Sequence, residues 1–308
     1  MPFLYIGVVY EKETIYIYGI SAILMWSTLA TVVKLVMTEI PNLEALSISS
    51  LIAFFFLVIT NTINGKIKEF RKYSIKEIAI MVFLGFIGLF MYSALYYQGI
   101  AMLSSQEACV LNYLWPIMIV LFSSIILKEK LTLAKLLAMI CSFIGTIILV
   151  SGGSNNTSEN KAPGVICCIL AAALYGLFSV LNKKADYNQN IAMTVIWLTT
   201  AIFSGVLGII TEKWVYIYAK EWIGIIWLGI FVDAVAYLLW AIALRTSKNT
   251  AEVANLAYLT PFMSVVISAL VLDEKLNVRT ILALVFIVGG ILIQNIYELK
   301  RQSIDNNV

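Results

Sequence analysis

The chain has 308 residues, of which 61% are apolar and 13% charged. Soluble domains carry about 45–50% apolar and about 25% charged residues, so this composition requires a lipid solvent and excludes a soluble enzyme or binding module. The 21 basic residues exceed the 18 acidic ones by three, a bias whose placement is topological and not the patch of a nucleic-acid-binding protein.

Pro2 to Tyr10 is apolar and precedes Glu11-Lys12-Glu13. That order is wrong for a cleavable secretion signal, so the first helix is expected to stay in the mature chain. Apolar windows bounded by charges, Pro or Gly follow at 15–36, 43–63, 77–99, 104–127 and 135–151, then at 163–182, 190–210, 222–244, 249–271 and 278–298. A bilayer demands about 20 apolar residues per helix, so these are ten predicted transmembrane helices. The longest polar stretch, Ser151 to Lys161, is a Gly/Ser/Asn-rich connection of the flexible kind. No stretch is long enough for a soluble domain. Cys109, Cys141, Cys167 and Cys168 all fall inside apolar windows, where a thiol acts as a small packing residue, and metal-type spacing is absent.

Short loops rich in Lys and Arg stay in the cytoplasm. With ten spans and the N-terminus inside, cytoplasmic segments hold 15 of the 21 basic residues, among them Lys66, Lys68, Arg71, Lys72 and Lys76. A multi-pass protein of the bacterial cytoplasmic membrane with both termini inside is therefore expected.

The chain also repeats itself. A shift of 145 residues lays Asn112-Tyr-Leu-Trp-Pro-Ile-Met on Ala257-Tyr-Leu-Thr-Pro-Phe-Met, and Leu127-Lys-Glu-Lys-Leu on Leu272-Asp-Glu-Lys-Leu. It also pairs Tyr92 with Tyr237, Glu107 with Glu252 and Gly145 with Gly290, while a slightly larger shift lays Trp26 to Lys34 on Tyr175 to Lys183. The expected organisation is a first five-helix repeat (1–151), a connecting loop (152–162), a second repeat (163–298) and a cytoplasmic tail (299–308). Five spans per half invert the second half across the bilayer, the sequence sign of a carrier with its site near the midplane.

Chemistry must then come from the few polar and aromatic residues inside the spans. Histidine is absent, which removes His-dependent zinc proteases and Ser-His-Asp hydrolases. Gly152-Gly153 and Gly289-Gly290 lack the phosphate-loop and dinucleotide spacings, so no nucleotide or other cofactor is expected. Asp233 falls in the middle of a span, where a charged residue costs at least about 2.5–3.5 kcal/mol on insertion scales and is functional by default. Either it contacts a polar or cationic group of a substrate or it takes up a proton during transport; the alternative is a helix-packing hydrogen bond. Tyr237 and Trp240, four and seven residues on, share its face in a regular helix. Glu44, Glu107 and Glu252 lie near span ends, where interfacial solvation is the cheaper account.

The mid-span aromatics come from repeat-related positions and can converge on one cavity, where rings stack on planar groups and attract cations. The candidate substrate-binding set is Trp26, Tyr92, Tyr96, Asn112, Trp115, Tyr175, Asp233, Tyr237, Trp240 and Tyr258. Tyr16, Tyr18, Trp214, Tyr216, Tyr218, Trp222 and Tyr297, at span ends, fit the aromatic belts of the membrane interface. Pro116 and Pro261 occupy equivalent points in the fourth and ninth spans, where each removes a backbone hydrogen bond and forms a candidate hinge.

The run Asn112-Tyr113-Leu114-Trp115-Pro116, the opening Leu24-Met25-Trp26-Ser27-Thr28 and Tyr258-Leu259-Thr260-Pro261 resemble the drug/metabolite transporter superfamily in its ten-helix, duplicated branch. Within it they look most like the bacterial aromatic-amino-acid exporters. The resemblance implies an all-α integral membrane fold, with helices 1 to 4 and 6 to 9 around a central cavity and helices 5 and 10 flanking it. It also implies export of a small organic solute without nucleotide hydrolysis, by facilitated diffusion or proton exchange. An aromatic cavity fits planar amino acids; with Asp233 as counter-charge it fits organic cations, drugs or nucleoside-like metabolites as well. Two other classes compete. An intramembrane lipid enzyme needs a nucleophile with a base, or a metal cluster, at one leaflet, and the sequence offers neither. A membrane-embedded sensor or assembly partner normally carries a soluble output domain, and none is read here.

Overall fold

A computed structural model describes residues 2–36, 39–103, 105–150, 161–272 and 278–305. The expected connection at 152–162 therefore lies outside the described residues except for its last two positions, as do the side chains of Lys34 and Glu107. All regular structure among the described residues is helical.

Eight helices are long and apolar enough to cross a bilayer: α1 (Glu13–Val33), α2 (Asn42–Ile63), α3 (Ile75–Met102), α4 (Ala108–Ile126), α6 (Ala162–Lys184), α7 (Gln189–Thr211), α8 (Ala219–Thr246) and α9 (Thr250–Val271). Two shorter apolar segments, α5 (Leu133–Ile148) and α10 (Ile281–Ile293), complete the ten. They belong to longer helices, Leu133–Val150 and Val278–Asp305. Helices must span here because lipid offers no partner for a free backbone group, and only a helix satisfies its own.

The first helix of each half packs mainly against the third and fourth helices of the other half: α1 lies against α8 and α9, and α6 against α3 and α4. Thus α1 crosses into the second half and α6 into the first. The pairs α2 with α7 and α5 with α10 are the most extensive contacts, each joining equivalent helices of the two halves. The two inverted five-helix repeats are therefore interlocked.

Small residues allow the closest approach. A Cβ on Gly290 would sit 2.2 Å from Ser142 Oγ and 2.5 Å from the Ala138 carbonyl, and one on Gly145 would sit 2.7 Å from the Ala283 carbonyl. With lipid outside, helices associate through such close packing, since tails and Leu are equally apolar. Ser142 Oγ adds a bond to the Ile287 carbonyl at 3.2 Å.

Two of the acids expected to be solvated at the interface are instead engaged in the fold. Glu44 is buried, and its Oε2 accepts from Val215 N at 3.0 Å. Its neighbour Glu212 accepts from the Leu43 and Glu44 amides at the start of α2, where free N–H groups and the helix dipole favour an anion. Glu252 accepts a bond from the hydroxyl of Tyr16, so Tyr16 is tied to α9 and is not simply a belt residue. Trp214, Tyr216, Tyr218 and Trp222 are exposed, as belt residues should be.

Candidate substrate site

Six of the predicted rings form one cluster in the main core of the molecule. Trp26 of α1 touches Tyr237 at 5.1 Å and Trp240 at 5.3 Å, both from α8. Trp115 of α4 meets Tyr175 of α6 at 5.0 Å, Trp240 at 5.6 Å and Trp26 at 6.3 Å. Tyr175 in turn meets Tyr92 of α3 at 5.1 Å and Tyr237 at 6.2 Å. Most of these contacts are edge-to-face, the arrangement that ring quadrupoles favour. The repeat pairs Trp26 with Tyr175 and Tyr92 with Tyr237, so both halves supply matched walls.

Local breaks in the helices aim these side chains. A π-helical segment, Phe86–Met91, immediately precedes Tyr92, and another, Leu228–Ala236, immediately precedes Tyr237. They occupy corresponding places in the two halves. Such segments are rare, carry extra residues per turn and concentrate at functional sites. In α4 the regular helix stops at Asn112 and resumes at Trp115, and in α9 it stops at Leu256 and resumes at Leu259. Both interruptions lie just before the prolines, and both contain i→i−3 bonds: Leu114 N to the Leu111 carbonyl at 3.2 Å and Tyr258 N to the Asn255 carbonyl at 3.3 Å. α1 has a turn at Thr28 beside Trp26, where Thr28 Oγ1 donates to the Met25 carbonyl at 2.7 Å and accepts from Trp227 Nε1 at 2.9 Å.

Polar groups adjoin the rings. Asn112 Nδ2 donates to Tyr92 Oη at 3.2 Å, while Asn112 Oδ1, Trp26 Nε1 and Trp240 Nε1 are buried without a hydrogen-bond partner. A buried group left unpaired costs about 1–3 kcal/mol, so three beside one cluster need a reason.

Not every predicted residue joins the cluster. Asp233 lies within the π-helical segment, where the four-residue spacing that put it on one face with Tyr237 and Trp240 no longer holds. Its carboxyl is buried, and its Oδ2 has no hydrogen-bond partner. Tyr96 reaches only the edge of the cluster, stacking on Tyr92 at 6.3 Å, and packs also with Leu103, Ala108 and Cys168. Tyr258 is buried against Phe143 of α5, 6.3 Å between centroids, and has no ring contact with the cluster. Pro116 and Pro261 are both buried. Trp197 of α7, which the sequence reading omitted, stands 5.1 Å from Tyr237, and its Nε1 is also unpartnered. Its place in mid-span, away from either interface, was the available signal.

Comparison with known proteins agrees with this architecture. A curated relative, the aromatic amino acid exporter YddG of Ancylobacter novellus, is 25% identical over 282 residues, covering 88% of this chain and 93% of its own. The uncharacterized transporter YxxF of Bacillus subtilis is 25% identical over 82% of this chain and 81% of its own. A solved crystal structure superposes with a TM-score of 0.83 at 23% identity, covering 92% of this chain and 97% of that one, which speaks for the fold. The EamA-like transporter family matches residues 13–151 and again 162–296, and with the whole described membrane domain so covered, the chain belongs to that family.

Proposed function

We propose that the protein is a secondary carrier that exports aromatic or other apolar amino acids across the cytoplasmic membrane by alternating access. The observation that carries this reading is the ring cluster built from both halves, with unpartnered indole donors and an unpartnered amide acceptor around it. An amino acid complements that set. Its carboxylate accepts from indole N–H groups such as those of Trp26 and Trp240, its ammonium donates to Asn112 Oδ1, and its planar side chain packs among the rings. The rings touch one another, so substrate enters by parting the walls that the two halves contribute.

The test is a thermal-shift series on the purified protein with amino acids, amines and nucleosides, followed by counterflow of labelled L-tryptophan in proteoliposomes. A ligand at a hundred times its Kd stabilises the folded state by about 2.7 kcal/mol. Tryptophan, tyrosine or phenylalanine should raise the melting temperature, and tryptophan should exchange. Stabilisation by amines alone would transfer the assignment to organic cations. That second reading rests on Asp233, whose carboxyl forms no ion pair with Lys or Arg among the described residues.

A further inference from the structure

Lys183, eight residues beyond Tyr175 at the end of α6, gathers three acceptors. Its Nζ lies 3.1 Å from Glu129 Oε1, 2.9 Å from the Ser247 carbonyl and 2.6 Å from Thr250 Oγ1. Glu129 belongs to the α4–α5 connection. Its Oε2 accepts from Thr250 N at 3.0 Å, and its Oε1 accepts from the Thr250 hydroxyl. Both charged side chains are largely covered, at 11% and 16% exposure. The cluster thus ties the connection after α4, from the first half, to the end of α6 and the start of α9, from the second.

Three further features separate this cluster from an ordinary surface ion pair. Lys128, next to Glu129, has φ 57°, a left-handed conformation that a side-chain-bearing residue adopts at a cost and that the neighbouring contacts must hold. The tied helices include α4 and α6, which carry Asn112, Trp115 and Tyr175, so the cluster joins the ends of two helices that wall the ring cluster. The residue types also recur: the 145-residue shift places Glu274 at the position of Glu129 and Ser105 at that of Thr250, and the upstream shift places Lys34 at that of Lys183. In an inverted repeat, corresponding positions belong to opposite faces.

We propose that Lys183, Glu129 and Thr250 form a releasable gate that holds the cytoplasmic end of the carrier closed and must open once in each transport cycle. This rests on the carrier reading and on Lys- and Arg-rich loops facing the cytoplasm. A gate differs from a fixed strut in one measurable respect. Breaking a strut loosens only its surroundings, whereas breaking a gate shifts the population between two states and changes both faces.

Hydrogen–deuterium exchange of the intact purified protein tests this without a substrate. Lys183→Met and Glu129→Gln, two variants that guard against a folding defect in either, should each speed exchange at residues 245–256 and slow it in the segment after Thr28 at the opposite face. Loss of a hydrogen bond to a charged group shifts such an equilibrium roughly tenfold or more. Faster exchange confined to the cluster, or no change, overturns the proposal. In the second arm, Glu129→Cys with Lys183→Cys is bridged by a short reducible bis-thiol linker, with single-cysteine variants as controls for the native thiols. Tryptophan counterflow should stop on bridging and return on reduction. Parental flux through fully bridged protein would overturn the gate. Absence of counterflow in the parent would count against the carrier reading alone, and the exchange arm would still decide the gate.

Discussion

Trp26 separates two jobs that one aromatic residue can do. Its ring packs against Trp115, Tyr237 and Trp240, while its Nε1 is buried and unpartnered. Replacement by Ala would confound the two by opening a cavity, so the informative change is Trp26→Phe. It keeps a ring and removes the donor. Affinity for tryptophan should fall by about 1.5–3 kcal/mol, the value of a hydrogen bond to a charged group, with the melting temperature of the free protein nearly unchanged. Titration calorimetry showing parental affinity would assign Trp26 to packing. Asp233 is open to a comparable separation. Asp233→Asn preserves the shape but cannot take up a proton. If the carboxyl couples transport to protons, flux should lose its response to a pH gradient while substrate exchange persists. If it balances a cationic ligand, binding of that ligand should vanish at every pH. Parental behaviour in both assays leaves a packing hydrogen bond.

Among the elements, α4 and α9 are interrupted at equivalent points just before Pro116 and Pro261. Proline removes a backbone donor and clashes with the preceding turn, so the break is built into the sequence. Pro116→Ala should restore the donor and make bending less favourable, lowering transport while equilibrium binding is largely retained. Equal loss of both would place Pro116 in the architecture of the site. The α5–α10 pair depends on the opposite property, closeness. Gly290→Ala puts a methyl against the Ala138 carbonyl and Ser142 Oγ, and overpacking of this kind costs about 1–3 kcal/mol. A lower melting temperature with unchanged tryptophan affinity is expected, because neither helix contributes a ring to the central cluster. A melting temperature equal to the parent's would show that the pair separates without penalty.

At the scale of the molecule, the interlock decides how the chain assembles. α1 buries its surface on α8 and α9, and α6 on α3 and α4, so each half leaves a face uncovered without the other. Residues 1–151 and 162–308 expressed as two chains should therefore reassemble and bind tryptophan when produced together, and aggregate when produced alone. A stable, monodisperse single half would refute this account of the interface. The same interlock explains why rings from α1 and α6 meet those of α3, α4 and α8 in one place.

Much of this protein is determined by composition and repetition. Ten apolar windows and the repeat at a shift of about 145 residues lead to a duplicated helical membrane fold, because lipid accepts few other solutions. The mid-span rings at Trp26, Tyr92, Trp115, Tyr175, Tyr237 and Trp240 were legible for a related reason, since both repeats mark the same depth. What periodicity could not supply was direction. The π-helical segment before Tyr237 changes the register on which the shared face of Asp233, Tyr237 and Trp240 was inferred. The turn of α9 sends Tyr258 to Phe143, and Trp197 joins the rings from a helix with no aromatic pattern. The Lys183–Glu129–Thr250 cluster unites residues 67 and 54 positions apart in sequence, and Lys183 alone reads as a topological charge. Helix number and depth follow from hydropathy, which is a local property of the chain. Which face of each helix turns inward, and which distant polar groups meet, depends on backbone irregularities and on packing between the halves, and so was decided only by the tertiary structure.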